Sequence, residues 1–538
     1  MTNRLYNNGL NRKAKILLIA CPLAISIFMA FAFLGSGDIG NHEAFVAVTA
    51  REMVSSGNWA VPVYNGQPRL NKTPLSYWLV GFAGKISGEV SAFTLRLPSA
   101  LLAVVSAIAI LFFVNKWLGL RIAALAVLFW STSLGFLRYS HTGRPEMALC
   151  AFVTVAMLSF YAWTATEARK EQLRYMLIFW ISFSLAMLAK GPAPILLIGP
   201  PVFCYFAVFR KWKKLPKTLP IIGTLLFLII VLPWPIMVLL KEPGAINIWK
   251  AEFIDRATGS HSAGSEPIYY YLGIMFVLFI PWVAFLPLAM IAPFFRIWAK
   301  KQNVMIYLWL WFAVNIIAMS LCSGKREHYI FPAMPALAIL TAIIFEDMLF
   351  GGKAYTRKFS RDFFLGHLIT ALVLVAVGAG WALKTGSLSV LPVTILSSLA
   401  VVFLLITAFL LRRGFKTAAC VCIFAAVAIV LTAGIIKTVR EHNENYLCRV
   451  FAEKVAEKIG ENEQLIAYDK IRGSFIYYFG RNVPKVSELE KVYDFYVQDG
   501  WVLAMDEHLE KLKSDGRFKI AIPGSDGKRA VFNKNADN

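Results

Sequence analysis

The sequence predicts an α-helical polytopic membrane protein with a small α/β domain at its C-terminus, and three observations carry that prediction. Hydrophobic residues make up 58% of the 538-residue chain and charged residues 16%, with a mean hydropathy of +0.60, the composition of a chain whose solvent is mostly lipid. Apolar runs of about 20 residues, the length that crosses a hydrocarbon core of about 30 Å, recur from the N-terminus to Val439. Beyond Val439 the composition becomes that of a soluble domain.

Taken in order, the apolar runs lie near 16–35, 92–115, 119–137, 146–165, 172–189, 193–209, 219–240, 270–295, 304–322, 329–349, 363–384, 388–411 and 417–437. They predict about thirteen transmembrane helices. The first follows a basic start that resembles a signal peptide, but cleavage there would detach the polar loop that follows, so it is read as a retained span. Lys and Arg collect in every second loop, from Arg12, Lys13 and Lys15 through the RKWKKLPK run at 210–217 to Arg412, Arg413 and Lys416. Basic short loops mark the cytoplasmic side. The N-terminus is therefore expected in the cytoplasm and the C-terminal tail outside. These anchors and anionic inner-leaflet lipid account for most of the net charge of +23, which makes a nucleic-acid partner unnecessary. Of the seven cysteines, six fall in or beside spans and only Cys448 lies in the tail, so they read as packing residues rather than a disulfide framework.

The expected division is a transmembrane domain over 1–439, with a polar outer loop at 36–91, and a soluble domain over 440–538. Periodicity in the tail predicts helices at 445–459, 472–479, 487–496 and 506–514. Strands are expected at 464–468, 501–505, 517–522 and 530–533. The tail contains no Gly-rich phosphate loop, metal cluster or nucleophile elbow, which suits an accessory or acceptor-recognition role.

Four segments on the outer side concentrate the chemistry. The first, between Gly40 and Trp78, carries Asp38 just before it, then His42, Glu43 and Lys72, with helical spacing around AREM and a turn-rich NGQP. The second, LRYSHTGRPEMAL, supplies Arg138, Arg144 and Glu146; a carboxylate after Pro145 is also a natural partner for a helix N-terminus. LAKGPAP places Lys190 at the end of a span, where an outer lysine either snorkels or meets an anion. The fourth, CSGKREHYIFPAMPAL, brings Lys325, Arg326 and Tyr329 to the head of another span. Lys and Arg at this depth suit the phosphate of a long isoprenoid, while a carboxylate suits removal of a proton from an incoming hydroxyl. That combination implies glycosyl transfer by single displacement, with inversion at the anomeric carbon. A lipid-linked sugar transporter or flippase is the alternative, but it calls for polar residues in the middles of spans and internal repeats.

In this order the segments resemble the bacterial branch of the polytopic GT-C glycosyltransferases that includes protein O-mannosyltransferases and the lipid A aminoarabinose transferase. HEAFVAVTAREM stands where that family has approximately DEARYAEIAREM, LNKTPLSYW where it has FEKPPLLYW, LAKGP where it has TKGP, and KREHYIFPAMPALAIL where it has KLPHYVLPLYPALALL. RPEMAL and GSEPIYYYLG match its RPD-type and PFWYYL segments. The resemblance implies a GT-C fold, a polyprenyl-phosphate-linked sugar donor, and a glycolipid, lipid A, polysaccharide or protein Ser/Thr acceptor. It makes Lys72 and Tyr329 contacts of the lipid phosphate and Glu146 the second acidic residue. The family's leading aspartate is His42 here, which leaves Glu43, His42 and Asp38 open as the general base. The family's metal-binding glutamate is Asn71, so no cofactor is firmly implied; a divalent metal keeps only His261 as a candidate ligand.

Overall fold

The computed structural model describes residues 11–255, 266–351, 354–384, 390–441 and 443–535. The chain divides into two compact units. One comprises residues 1–34, 71–75 and 98–437, the other residues 35–70, 76–97 and 438–538.

The first unit is helical throughout, because a backbone in lipid must satisfy its own N–H and C=O groups. Against about thirteen expected spans, seven helices among the described residues are long and apolar enough to cross a membrane, or eight with a bent pair counted as one span. Helices Glu146–Ala165 and Arg169–Lys190 form an antiparallel hairpin across a three-residue link, and Met334–Phe350 packs on Leu120–Ser131. Glu146–Ala165 and the span ending at Phe350 are mostly buried, whereas Pro220–Lys241 is mostly exposed and turns Ile221, Leu225, Ile229 and Leu240 outward. Apolar side chains displayed on such a helix face hydrocarbon.

Two expected spans are interrupted. The run at 119–137 bends by 63° between Leu120–Ser131 and Leu134–Ser140. Ser131, Thr132 and Ser133 each donate a side-chain hydroxyl to a carbonyl three or four residues back, at 2.7, 2.6 and 2.8 Å, and Ser133 Oγ then accepts from Phe136 N to start the next helix. Hydroxyls that bond back onto the helix bend it. The run at 270–295 is a helix Tyr270–Leu278 followed by short helical pieces, since Pro281, Pro287 and Pro293 each remove an N–H from the ladder.

The second unit opens with helix Asn41–Ser56, closed by Gly57 at φ 69°. Strands β1 (Val63–Tyr64) and β2 (Gln67–Pro68) follow as a hairpin. Asn65 and Gly66 at its tip have φ of 55° and 74°, the left-handed pair that a tight two-residue hairpin needs. The tail forms a five-stranded sheet from β3 (Leu465–Tyr468), β4 (Lys485–Val486), β5 (Trp501–Met505), β6 (Ile520–Pro523) and β7 (Arg529–Phe532). Its order is β4-β3-β5-β7-β6, parallel over the first three strands and antiparallel over the rest. Four of the five strands sit where alternation predicts them; the two-residue β4 is too short to carry a periodic signal. Helices Asn443–Lys458 and Gly473–Phe479 cover one face through Phe451, Val455 and Phe475, and Leu489–Val497 with Glu507–Asp515 cover the other through Val492, Tyr496 and Leu509.

Candidate active site

In the membrane unit the helix hairpin creates a buried charged cluster. Glu146 is the first residue of one helix and Lys190 the last of the next, so antiparallel packing brings them together. Lys190 Nζ donates to Glu146 Oε1 at 3.1 Å, Arg144 Nη2 donates to the same oxygen at 3.2 Å, and His328 Nε2 lies 3.6 Å from it. Glu146 is 3% exposed. Its Oε2 is buried with no hydrogen-bond partner among the described residues, although a carboxylate normally engages both oxygens. Lys190 Nζ also stands 5.6 Å from the centre of the Tyr329 ring.

Gly191 ends the Lys190 helix at φ 60°, and a Cβ there would come within 2.8 Å of the Phe253 ring. Only glycine suits both demands. The close approach brings the segment Lys250–Asp255 beside Lys190, and Glu252 in that segment forms an ion pair with Lys72. Lys72 is near enough to Lys190 for the two charges to repel. Beside Lys72, Asn71 Oδ1 and Thr73 Oγ1 are buried without hydrogen-bond partners among the described residues. Lys72, Lys190, Arg144, Glu146 and Tyr329 therefore belong to one neighbourhood, which also holds buried polar atoms that make no hydrogen bond among the described residues.

Other expected cations have different partners. Arg138 makes a two-pronged pair with Glu327, Lys325 Nζ donates to the Glu266 carbonyl at 3.0 Å, and the Arg326 backbone N–H donates to Tyr271 Oη at 3.2 Å. These contacts fix the turn that presents His328 and Tyr329.

The acids of the polar loop lie in the second unit. Glu43, in the first turn of Asn41–Ser56, accepts from Arg96 Nε at 3.0 Å and Nη2 at 2.9 Å. Arg96 Nη1 donates further to the Ser36 carbonyl at 2.7 Å, so one guanidinium fixes both the loop and the carboxylate. Asp38 Oδ1 accepts from Arg449 Nη1 at 2.7 Å. The His42 ring stands 6.4 Å from that of Phe45. Arg51 is tied to the carbonyls of Tyr477 and Ile476; burial pulls its guanidinium below the usual arginine range. Burial likewise pushes the Tyr64 phenol up to about 12.

Glu252, Arg96, His328 and Arg449 are absent from the residues singled out by sequence as site groups. Arg96 was legible as a lone charge inside an apolar run and His328 as part of KREHY, but nothing in KAEFID marks Glu252. His261 lies outside the described residues. No group of three His, Cys, Asp or Glu suited to a metal occurs among the described residues, and Asn71 offers an amide where the resemblance calls for a carboxylate, so no step is derived through a metal.

The dolichyl-phosphate-mannose-protein mannosyltransferase family matches residues 71–237. An uncharacterised protein of Aquifex aeolicus is 31% identical over 372 residues, 68% of this chain and 69% of its own. An undecaprenyl phosphate-alpha-4-amino-4-deoxy-L-arabinose arabinosyl transferase of Yersinia enterocolitica is 25% identical over 350 residues, 63% of this chain, and the match spans 61% of that relative's length. In fold, the chain is similar to ArnT from Cupriavidus metallidurans in its crystal structure with undecaprenyl phosphate bound. The TM-score is 0.79 at 19% identity, covering 96% of this chain and 97% of the other.

Proposed function

The chain belongs to the ArnT-like family of GT-C glycosyltransferases, multi-pass membrane proteins, and on that premise we propose that it transfers a sugar from a polyprenyl-phosphate donor to a hydroxyl of an envelope acceptor. The observation that carries this reading is the buried cluster of Lys190, Arg144 and Glu146 beside Lys72, with unpartnered polar atoms at Glu146, Asn71 and Thr73. Lys72 and Lys190 bind the donor phosphate and stabilise it as it leaves; Tyr329 packs against Lys190. Glu146 is a positioning residue that gathers the cations around it. Glu252 occupies Lys72 in the absence of donor and gives way to the phosphate.

In the reaction the acceptor oxygen attacks the anomeric carbon while the bond from that carbon to the phosphate oxygen breaks. The hydroxyl proton passes to a carboxylate, the polyprenyl phosphate leaves with the electron pair, and the configuration inverts. Glu43 is the proposed base, with Asp38 and His42 as the other groups of the same loop. The Arg96 clamp orients Glu43 without using all its lone pairs, since a carboxylate offers about four acceptor positions. On this reading the N-terminus lies in the cytoplasm and the tail in the periplasm of a bacterial inner membrane, and the acceptor is a glycolipid, a polysaccharide or protein Ser/Thr.

Purified protein incubated with radiolabelled polyprenyl-phosphate sugars tests this reading. Transfer or donor hydrolysis is expected for the wild type and lost in Lys72→Ala and Glu43→Gln. Undiminished turnover in both variants overturns the site assignment; translocation of the lipid in vesicles without any turnover favours a transporter.

A further inference from the structure

Strand β3 is the first of the parallel set, with β4 on one side and β5 on the other. The chain therefore leaves the carboxyl ends of β3 and β5 toward opposite sides of the sheet, a topological switch point, the place where open α/β sheets bind ligands in a crevice. Lys470, Arg472 and Ser474 follow β3, and Asp506 follows β5. Arg472 Nη2 donates to Asp506 Oδ1 at 3.3 Å and Lys470 Nζ stands 3.1 Å from Oδ2, so the two cations reach across the mouth. Asp469 is engaged with Ser487 at 2.9 Å.

A buried cation lies beneath them. Arg529 on β7 is opposite Met505, the last residue of β5, and directly opposed residues share a face. Met505 packs with Cys448, Phe451 and Phe475, which sets Arg529 on that face at the crevice end. Arg529 is 3% exposed. Its Nη2 pairs with Asp526, whereas Nη1 is buried with no hydrogen-bond partner among the described residues. Burial pushes the Cys448 thiol up, and Ser474, Arg529 and Arg472 all pull it the other way; Ser474 Oγ lies 3.3 Å from Cys448 Sγ. The four side chains thus converge on one spot.

We propose that this crevice binds a phosphate oxyanion, either the free ion or a phosphate carried by a lipid headgroup. Arg529 Nη1 supplies the donor at its floor, and Arg472 and Lys470 turn from Asp506 to the ligand. Arg529 Nη1, buried and without a hydrogen-bond partner among the described residues, lacks the acceptor that an oxyanion with several oxygens provides. The tail is then a ligand-binding domain and not only an accessory one.

The test uses the full-length protein in phosphatidylcholine nanodiscs, carrying Lys72→Ala to weaken the membrane phosphate site, titrated with inorganic phosphate by calorimetry. Saturable binding is expected, weakened at least tenfold by Arg529→Lys and by Arg472→Ala. The second variant alters a part-exposed group at the mouth and keeps the test available should the first misfold. Adding phosphatidic acid to the discs separates the two sources. Competition with phosphate that depends on Arg472 assigns the crevice to a headgroup, and unchanged affinity assigns it to the free ion. No saturable binding, or equal affinity in Arg472→Ala, overturns the proposal.

Discussion

Lys190 Nζ donates to Glu146 Oε1 at 3.1 Å, joining the last residue of one membrane helix to the first residue of the helix before it. The same oxygen takes Arg144, so a single carboxylate oxygen holds together cations that would otherwise repel. Negative charge at the start of one helix and positive charge at the end of the next also match the two helix dipoles. Geometry and electrostatics thus favour the same pairing.

Glu146→Gln leaves the part-exposed Lys190 and Arg144 without their buried counter-charge. Breaking such a pair from one side costs up to about 3 kcal/mol, so thermal unfolding in detergent is expected at a lower temperature, with a rise in KM for the donor. A variant with wild-type stability and donor KM refutes the positioning role.

Glu252→Gln releases Lys72 from its carboxylate. The Lys72 side chain is 42% exposed, so solvent screens the pair and its removal is worth at most about 1 kcal/mol. Donor KM is expected to fall by up to about fivefold with kcat unchanged. Initial rates against donor concentration measure it, and a higher KM contradicts the idea that Glu252 competes with phosphate.

Glu43→Gln keeps hydrogen bonding toward Arg96 but cannot take a proton. Loss of a general base lowers kcat by about 10²–10⁴-fold, with donor KM little changed and the loss absent from Glu52→Gln, an acid of the same helix. Single-turnover rates at saturating donor decide it; near-normal chemistry in Glu43→Gln moves the base to His42 or Asp38.

Burial opposes ionisation of Asp506, but hydrogen bonds and charge from Lys470 and Arg472 outweigh it and hold the carboxyl below the usual aspartate range. A carboxylate depressed in the folded state stabilises it fully above the unfolded value of about 3.9. That stability is lost as the pH falls from there through the folded value. Protection factors of tail amides, which divide out the slower intrinsic exchange at low pH, are expected to fall on acidification through this range in the wild type and less steeply in Asp506→Asn. Identical profiles contradict the linkage.

Much of the architecture was legible because lipid imposes a simple rule on sequence. A run of apolar residues must be helical, and Lys or Arg must collect at its ends, so the apolar runs could be placed without contacts, although among the described residues seven or eight helices, against about thirteen expected, are long and apolar enough to cross a membrane. Strands β3, β5 and β7 were legible for a related reason: burial on both faces selects short apolar stretches such as LIAY and WVLAM. The breaks at Ser131–Ser133 and Pro281–Pro293 were less visible, since a hydroxyl bends a helix only when it turns back to a carbonyl.

The candidate site divides along the same line. By itself the sequence determined the membrane class and marked Lys72, Lys190, Glu146 and Tyr329 as candidates, because polar side chains beside apolar runs stand out wherever they occur. Only the tertiary structure decided the partners: Glu146 under Lys190 and Arg144, Glu43 in the grip of Arg96, Asp38 on Arg449, and Glu252 on Lys72. These pairs join residues as far as 411 positions apart. Coulomb and hydrogen-bond energies depend on distance in space, which local periodicity does not encode.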